Sequence, residues 1–356
     1  MTQQSIAKTN TRPEFPAMFT RYKGWVEQEL SRSVPDSGDC GLYVLLKYHL
    51  GWVDQEGIRA ETPVSQGKAL RPVLCLFACE ALSQEAAKAL SAAAALELIH
   101  NFSLIHDDIQ DHDRERRHQP TVWHVWGVPR ALVAGSALQS TGDLALLNTA
   151  QREAPPETVL KVSHLLTTSY LEMIEGQCLD LAFEARTAIT TEEYLHMIAC
   201  KTGALIRSGL EIGALLATDD PAAVQAFSSF GSCLGRAFQI RDDFLGIWGD
   251  ETLTGKAKAN DIRRRKKSFP VVFALGQASG RARNDLLRIY GQQELDEEDV
   301  QRVLAVLDEV GAPEQCQMLT EAGAEGALRA LEEVQLPSWA RDEAEALVDF
   351  LARREY

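Results

Sequence analysis

Apolar residues recur every three to four positions almost from one end of this chain to the other, and that period admits helices and little else. "FTRYKGWVEQELSRSV", "AAKALSAAAALELIHNFSLIHDD", "ETVLKVSHLLTTSYLEMIEGQCLDLAFEA" and "EEDVQRVLAVLDEV" all follow it, which lines one face of a 3.6-residue helix. Alternating runs of β-branched residues bounded by turn pairs are absent. Between the periodic segments stand "VPDSGDCG", "EAPPE", "TDDP", "GAPE" and "QLPSW", the Pro, Gly and Asp expected at helix ends. The spacing predicts an all-α chain of ten or more helices. Ala87 to Asp108 is apolar on more than one face and belongs at the centre of a bundle. Residues 1–20 are polar and contain Pro, so they read as a loose leader. Residues 21–356 read as a single all-helical domain, since no composition shift marks a linker.

Charge narrows the function. A formal net charge of -15 repels nucleic acid and anionic membranes at long range. Seven cysteines, at 40, 75, 79, 178, 200, 233 and 316, form no CxxC pair and meet no His cluster, so they read as reduced core thiols rather than a zinc site. The first residues lack a signal-peptide apolar core, and no segment offers eighteen uninterrupted apolar residues. The expectation is a soluble, cytoplasmic protein.

Against that background, "LIHDDIQDHDRERR" stands out at 104–117. Asp107 and Asp108 stand four and three residues before Asp111, which on a helix puts all three carboxylates on one face within about 6 Å. Three hard oxygen donors on a rigid face suit Mg²⁺ shared with a substrate phosphate; a solvated acidic helix end is the plainer alternative. His100 lies two turns earlier on nearly the same stripe, with Ser103 between. Arg116 and Arg117 follow, and guanidinium forks hold phosphate oxygens in pairs. Asp113, Arg114 and Glu115 read as solvated loop charge.

A second constellation lies far downstream. Asp242 and Asp243 end another helical run, Asp250 follows, and then come Lys256, Asp261 and the block Arg263, Arg264, Arg265, Lys266, Lys267. Taken alone, such a block marks a nucleic-acid patch or a solvated loop. Flanked by carboxylates in an acidic chain, it reads better as a diphosphate clamp. Lys68 with Arg71 in "QGKALRP", and Lys201 beside Thr202 in "CKTGALI", add two further basic sites.

These stretches, in this order, resemble the trans-isoprenyl diphosphate synthases, the polyprenyl synthetase family of all-α prenyltransferases. The matches are "GKALRP", "ELIHNFSLIHDDIQD", "RR", "GQCLDL", "KTGALI", "FQIRDDFLG", "GDETLTGK" and "DIRRRKKSFP", from about residue 40 onward. The resemblance implies an isoprenoid-synthase bundle around a deep central apolar cavity, acting as a homodimer. It implies condensation of isopentenyl diphosphate with an allylic diphosphate, with three Mg²⁺ ions per active site. Asp107, Asp108 and Asp111 would hold two ions and Asp242 and Asp243 the third. Arg116, Lys201, Thr202, Gln239, Lys256 and Lys266 would contact the allylic diphosphate. Lys68, Arg71, His100 and Arg117 would hold isopentenyl diphosphate. Lys201, Lys266, Gln239, Asp107 and Asp242 would act on the reacting diphosphate itself.

Two departures stand out. Gly246 replaces the third acid of the second DDxxD motif, and Ser136 stands where Asp is frequent. Product length is expected to depend on Ser103, roughly 6 Å below Asp107 along the helix, and on Phe102, roughly 7.5 Å below on another face. In the family, bulky residues at both positions go with a fifteen-carbon product. An aromatic at the fifth position alone, as with Phe102, goes with twenty carbons, which points to a geranylgeranyl diphosphate synthase. Farnesyl or longer-chain synthesis, a class I terpene cyclase, a head-to-head condensing enzyme and a catalytically silent partner subunit are the rival readings. Lys68, Arg71 and His100, as a second diphosphate site, speak against the cyclase.

Overall fold

The computed structural model describes residues 15–36, 41–59, 69–152, 154–186, 188–250 and 258–353. They form α1 (Ala17–Ser33), α2 (Leu42–His49), α3 (Leu70–Ser83), α4 (Leu90–Gln110), α5 (Val122–Trp126), α6 (Val128–Leu147), α7 (Pro156–Ala185) and α8 (Thr191–Ile198). A π-turn, Ala199–Gly203, leads into α9 (Ala204–Ala217) and α10 (Pro221–Trp248). Then come α11 (Asn260–Arg263), α12 (Phe269–Gln277), α13 (Gly280–Tyr290), α14 (Glu297–Glu309), α15 (Ala312–Ala330) and α16 (Ser338–Arg353).

The breakers act where the sequence places them. Pro156 and Pro221 open α7 and α10, and Asp220 caps the latter through Ala222 N–H at 2.9 Å, since proline's missing donor is no loss in a first turn. Gly311, at φ 72°, precedes α15. Helix α1 begins at Ala17, inside the span assigned to the leader, because Met18 and Phe19 insert into the core.

Helix α4 is the axis of the main core. Ala92 to Leu96, Leu98 and Ile99 are fully buried, as a helix apolar on all sides must be. Its small side chains let neighbours approach closely. Close approach recurs between α3 and α9, where a Cβ on Gly213 would fall 2.2 Å from the Cys75 carbonyl oxygen. A second core joins Ile247 and Ile262 to Val271, Leu286, Val300 and Val306 from α12 to α14. A third, around Phe183, Tyr194, Ile240 and Phe269, lies where α8, α10 and α12 meet.

Two sequence expectations are refined here. Cys75, Cys79, Cys200 and Cys316 are buried thiols, but Cys178 is exposed on α7, and Cys40 lies outside the described residues. A two-stranded hairpin, β1 (Glu115–Arg116) with β2 (Gln119–Pro120), follows α4. No strand signal announces it, because its turn is Arg117–His118, both at positive φ (53° and 63°), where Asn-Gly is usual. No helix among the described residues is long and apolar enough to cross a membrane.

Candidate active site

The last turn of α4 carries Asp107 and Asp108, and Asp111 ends it with its N–H on the Asp107 carbonyl at 2.8 Å. The single face expected for all three carboxylates divides into two. Asp107 and Asp111 lie in the field of Lys201 and Asp180. Asp108 turns the other way, is 1% exposed, and accepts a 2.7 Å bond from Arg116 Nε on Oδ1. Its buried Oδ2 has no protein donor. Burial pushes Asp107 and Asp108 up to about 6 and raises Asp111 as well.

The hairpin then splits the two arginines. Arg116 stays with Asp108, while Arg117 enters a cavity of about 210 Å³ with Arg71, His100 and Glu97. Positive φ at two non-glycine residues costs about 1–3 kcal/mol each, so tertiary bonds must hold the turn. Tyr48 Oη donates to the Pro120 carbonyl at 2.8 Å, and Gln119 Nε2 to the Tyr48 carbonyl at 3.2 Å. Phe19, Phe238, Phe350 and Leu351 supply the cavity's apolar walls. Arg71 Nε and Glu97 Oε2 are buried there without protein partners. Burial lowers Arg71 to about 10 and keeps His100 neutral, with Arg71 and Arg117 adding to the latter effect. Two guanidinium groups and a neutral imidazole thus face one cavity, with the Glu97 carboxylate among them. The structure therefore brings together Arg71, His100 and Arg117, as the sequence predicts; Lys68 lies outside the described residues.

Glu97 was missed by sequence reasoning. Its signal is one turn upstream of His100, on the same stripe. It is 4% exposed and stands in the field of both Arg71 and Arg117.

Lys201 projects from the π-turn, a distortion common at functional sites. Its Nζ donates to Asp180 Oδ2 at 2.6 Å. Asp180, in "GQCLDL", is the second residue the sequence reading left without a role. It stands between the acidic groups, acting on Asp107, Asp111 and Lys266 alike.

On α10, Asp243 is fully buried and accepts from Tyr194 Oη (2.5 Å), Gln239 Nε2 (3.0 Å) and the Phe269 N–H (3.1 Å). Burial pushes it up to about 6. Both its oxygens are thus committed to protein donors, which suits a residue that orients Gln239 better than the metal ligand expected from sequence. Gln239 Oε1 in turn accepts from Thr202 Oγ1 at 2.7 Å.

The basic block comes apart in space. Arg263 pairs with Glu297 and Arg264 with Asp113, so Asp113 is an ion-pair partner rather than a free loop charge. Arg265 donates to the Gln292 carbonyl, and Lys267 donates to the carbonyls of Phe183 and Glu184 at the end of α7. Lys266 alone joins the carboxylates. Desolvation opposes its charge, but Asp243, Asp261 and Asp242 outweigh it and hold the proton more tightly than usual. Lys256 lies outside the described residues. Ser136 is exposed on α6, and nothing in the structure explains its replacing an acid.

Among the described residues, no three His, Cys, Asp or Glu side chains converge into a ready cage. That fits a cation held by one or two carboxylates and completed by phosphate oxygens. Asp107, Asp111 and Asp242 offer hard donors, and the elevated titration of Asp107 comes first from burial, with the Asp111 and Asp180 charges adding to it against Lys201 and Arg116. Protons and a divalent cation must then compete, so cation affinity in the presence of diphosphate is expected to fall about tenfold per pH unit for each displaced proton below pH 6. Calorimetric titration with Mn²⁺ between pH 7.5 and 5.5 measures this; a flat profile would contradict it.

The family model for polyprenyl synthetases matches residues 59–307. The chain belongs to the polyprenyl synthetase family. It is 38% identical over 282 residues to a (2E,6E)-farnesyl diphosphate synthase of Mycobacterium tuberculosis, covering 78% of this chain and 76% of that one. It is 37% identical over 291 residues to a geranylgeranyl diphosphate synthase of the same organism, with 82% and 81% covered. The crystal structure of a polyprenyl synthetase from Streptomyces coelicolor superposes with a TM-score of 0.86 at 34% identity, covering 94% of this chain and 98% of that one. Family membership makes the chain a trans-prenyltransferase.

Proposed function

We propose that this synthase condenses isopentenyl diphosphate with allylic diphosphates to give all-trans geranylgeranyl diphosphate. The observation that carries the twenty-carbon length lies one turn below Asp107. Ser103 is small and folds its hydroxyl back onto the His100 carbonyl at 2.7 Å. Phe102 is 3% exposed and packs edge-on against Tyr170 of α7, with centroids 6.3 Å apart. The aromatic therefore stands off the Asp107 stripe, and the residue on that stripe is small, which supports the longer product.

The division of charged groups supports the rest. Arg71, His100 and Arg117 would take the diphosphate of the nucleophilic substrate. Lys201, Lys266, Arg116, Thr202 and Gln239 would surround the allylic diphosphate, with Lys256 in the same role. Magnesium, when bound, three ions in all, adds positive charge that stabilises the departing diphosphate. Asp107, Asp111 and Asp242 would hold it, while Asp108 fixes Arg116 and Asp243 fixes Gln239. As the allylic C–O bond breaks, negative charge grows on the leaving group, where fixed cations are worth most. The isopentenyl double bond attacks the allylic carbon, and a proton leaves to a diphosphate oxygen.

We also read the protein as a homodimer. Leu132, Val133, Leu144 and Leu147 of α6 and Leu160, Leu171 and Ile174 of α7 are 42–71% exposed, and exposed apolar side chains gathered on two helices are what a subunit interface would cover.

Ser103→Phe is expected to shift the main product from twenty to fifteen carbons, because it places an aromatic on the Asp107 stripe. Chain-length analysis with isopentenyl diphosphate and each of the C5, C10 and C15 allylic diphosphates tests this. An unchanged C20 product would remove Ser103 from the pocket floor. A wild-type product that stops at C15 would favour farnesyl synthesis instead.

A further inference from the structure

The cavity that gathers Arg71, His100 and Arg117 takes much of its apolar wall from the first and last described helices. Phe19 comes from α1, and Phe350 and Leu351 come from α16. Both helices stand outside the 59–307 span of the family model. Phe15, Phe19 and Phe350 pack ring to ring, with centroids 4.7, 5.4 and 6.4 Å apart. Apolar packing of this kind is favourable but non-directional. It does not by itself set how far α1 and α16 stand from α3, whose first turn carries Arg71.

A charged cluster does set it. The Arg21 guanidinium, on α1, donates to Glu80 Oε2 of α3 at 3.3 Å and to Glu343 Oε1 of α16. It lies over the Trp339 ring at 5.0 Å and the Tyr22 ring at 5.5 Å, and Tyr22 Oη donates to the same Glu80 oxygen. One side chain thus ties three helices together. A single exposed ion pair contributes little, but here one fork is shared by two carboxylates and stacked on two rings. Glu343 is the stressed member. Its side chain is 12% exposed and its Oε2 is buried without a protein donor. Burial raises its titration against the pull of Arg21, and the Glu80 charge adds to the rise. Arg71 and Glu80 are nine residues apart, about 13.5 Å along α3, which sets Arg21 apart from any diphosphate beside Arg71.

We propose that Arg21 is a positioning residue for isopentenyl diphosphate: by joining Glu80 to Glu343 it holds the wall of α1 and α16 against α3 and keeps water from the Arg71 guanidinium. Attraction between opposite charges strengthens where water is excluded, so the wall governs how tightly the diphosphate is held. Without Arg21 the two carboxylates face each other with no cation between them, and the wall parts. This inference rests on the synthase reading above, and its test separates the two.

The experiment is steady-state kinetics on the full chain with Mg²⁺, varying isopentenyl diphosphate at saturating C10 allylic diphosphate and then the reverse. Arg21→Met keeps the apolar stem and removes the charge. It is expected to raise the KM for isopentenyl diphosphate about fivefold or more, the low end of coupling between linked sites, while kcat and the allylic KM stay within about twofold. Adding Glu343→Gln to Arg21→Met ends the repulsion and offers Glu80 an amide donor, so it is expected to return that KM to within about twofold of wild type. Thermal melting shows whether each variant is folded at the assay temperature. If Arg21→Met is not, Arg21→Lys, a cation without the fork, takes its place with the same expectation. A folded variant with the wild-type KM for isopentenyl diphosphate would overturn the proposal. Both KM values rising together, the mark of general loosening, would overturn it too, as would a folded double variant without recovery. Wild type that makes no elongated product from C5, C10 or C15 allylic diphosphate would instead overturn the synthase reading itself.

Discussion

Asp107→Asn is expected to lower kcat for condensation by about 10²–10³-fold and, at the same time, to raise the melting temperature of the metal-free protein. The two effects share one cause. Asp107 sits half-buried within the fields of Asp111 and Asp180, and burial pushes its titration up to about 6. Above pH 6 the folded protein therefore carries a carboxylate that it holds less readily than the unfolded chain does. One pKa unit corresponds to about 1.4 kcal/mol, so a rise from 3.8 to about 6 costs the charged folded state on the order of 3 kcal/mol. Asparagine keeps the shape and removes the charge. For a protein of this size the gain is roughly 2–4 °C. The pH dependence has a definite sign. Below about pH 4 the carboxyl is protonated in both states and costs nothing. Between about 4 and 6 the unfolded chain ionises first, so stability is lost as pH rises, and above 6 the loss is constant. Calorimetry in EDTA at pH 4.5 and 7.5 should show a clearly larger advantage of the variant at the higher pH. A variant less stable than wild type at pH 7.5 would sink the account, because Asp107 would then be paired rather than stressed. The trade of stability for a charged, cation-ready site is common in enzymes.

Much of this arrangement was readable from residue order, and the parts that were not share a physical reason. Helix period, proline at first turns and the Asp220 cap are local signals, and they placed the helices. The spacing of Asp107 and Asp111 is likewise local, since a helix fixes what lies four residues away. Arg71, His100 and Arg117 were grouped by resemblance, and the structure brings all three to one cavity. What sequence order cannot give is which of several neighbouring charges meets which partner. Asp107 and Asp108 are adjacent, yet one faces Lys201 and the other Arg116, because 100° of helix rotation separates them. Five consecutive basic residues from Arg263 to Lys267 looked like one clamp. They point to Glu297, Asp113, the Gln292 carbonyl, the acidic cleft and the end of α7 in turn. Asp243 looked like a ligand of Asp242's kind but is consumed by Tyr194, Gln239 and the Phe269 N–H. The Arg117–His118 turn carried no glycine or asparagine to announce itself, since Tyr48 and Gln119 hold it from outside the turn. Each of these outcomes depends on a residue tens of positions away.

Gly176→Ala is the second large effect expected, and here one methyl group decides it. Gly176 lies in the middle of α7, where glycine ordinarily weakens a helix by about 0.5–1 kcal/mol relative to alanine. Intrinsic propensity alone would make the substitution stabilising. Its surroundings reverse the sign. A Cβ at 176 would stand 2.3 Å from the Lys201 backbone nitrogen and 2.7 Å from its Cα. Those atoms belong to the π-turn and are backbone, so no rotamer change relieves the contact. Helix α7 and the π-turn must separate by roughly 1 Å, and a displacement of that size at a positioned group costs about 10²-fold in rate. Overpacking costs a further 1–3 kcal/mol, more than the helix gains. Lys201 moves, and its 2.6 Å bond to Asp180, one turn beyond Gly176 on the same helix, is lost with it. The kinetic signature follows from which substrate Lys201 serves. The kcat and the KM for the allylic diphosphate should worsen, while the KM for isopentenyl diphosphate, proposed to sit in the separate cavity of Arg71 and Arg117, should stay within about twofold. Gly24→Ala on α1, with nothing within 4 Å of its added Cβ, is the matched control and should gain the stability that propensity predicts. Wild-type kinetics in Gly176→Ala would mean that the π-turn moves freely, and that Lys201 does not depend on α7 for its place.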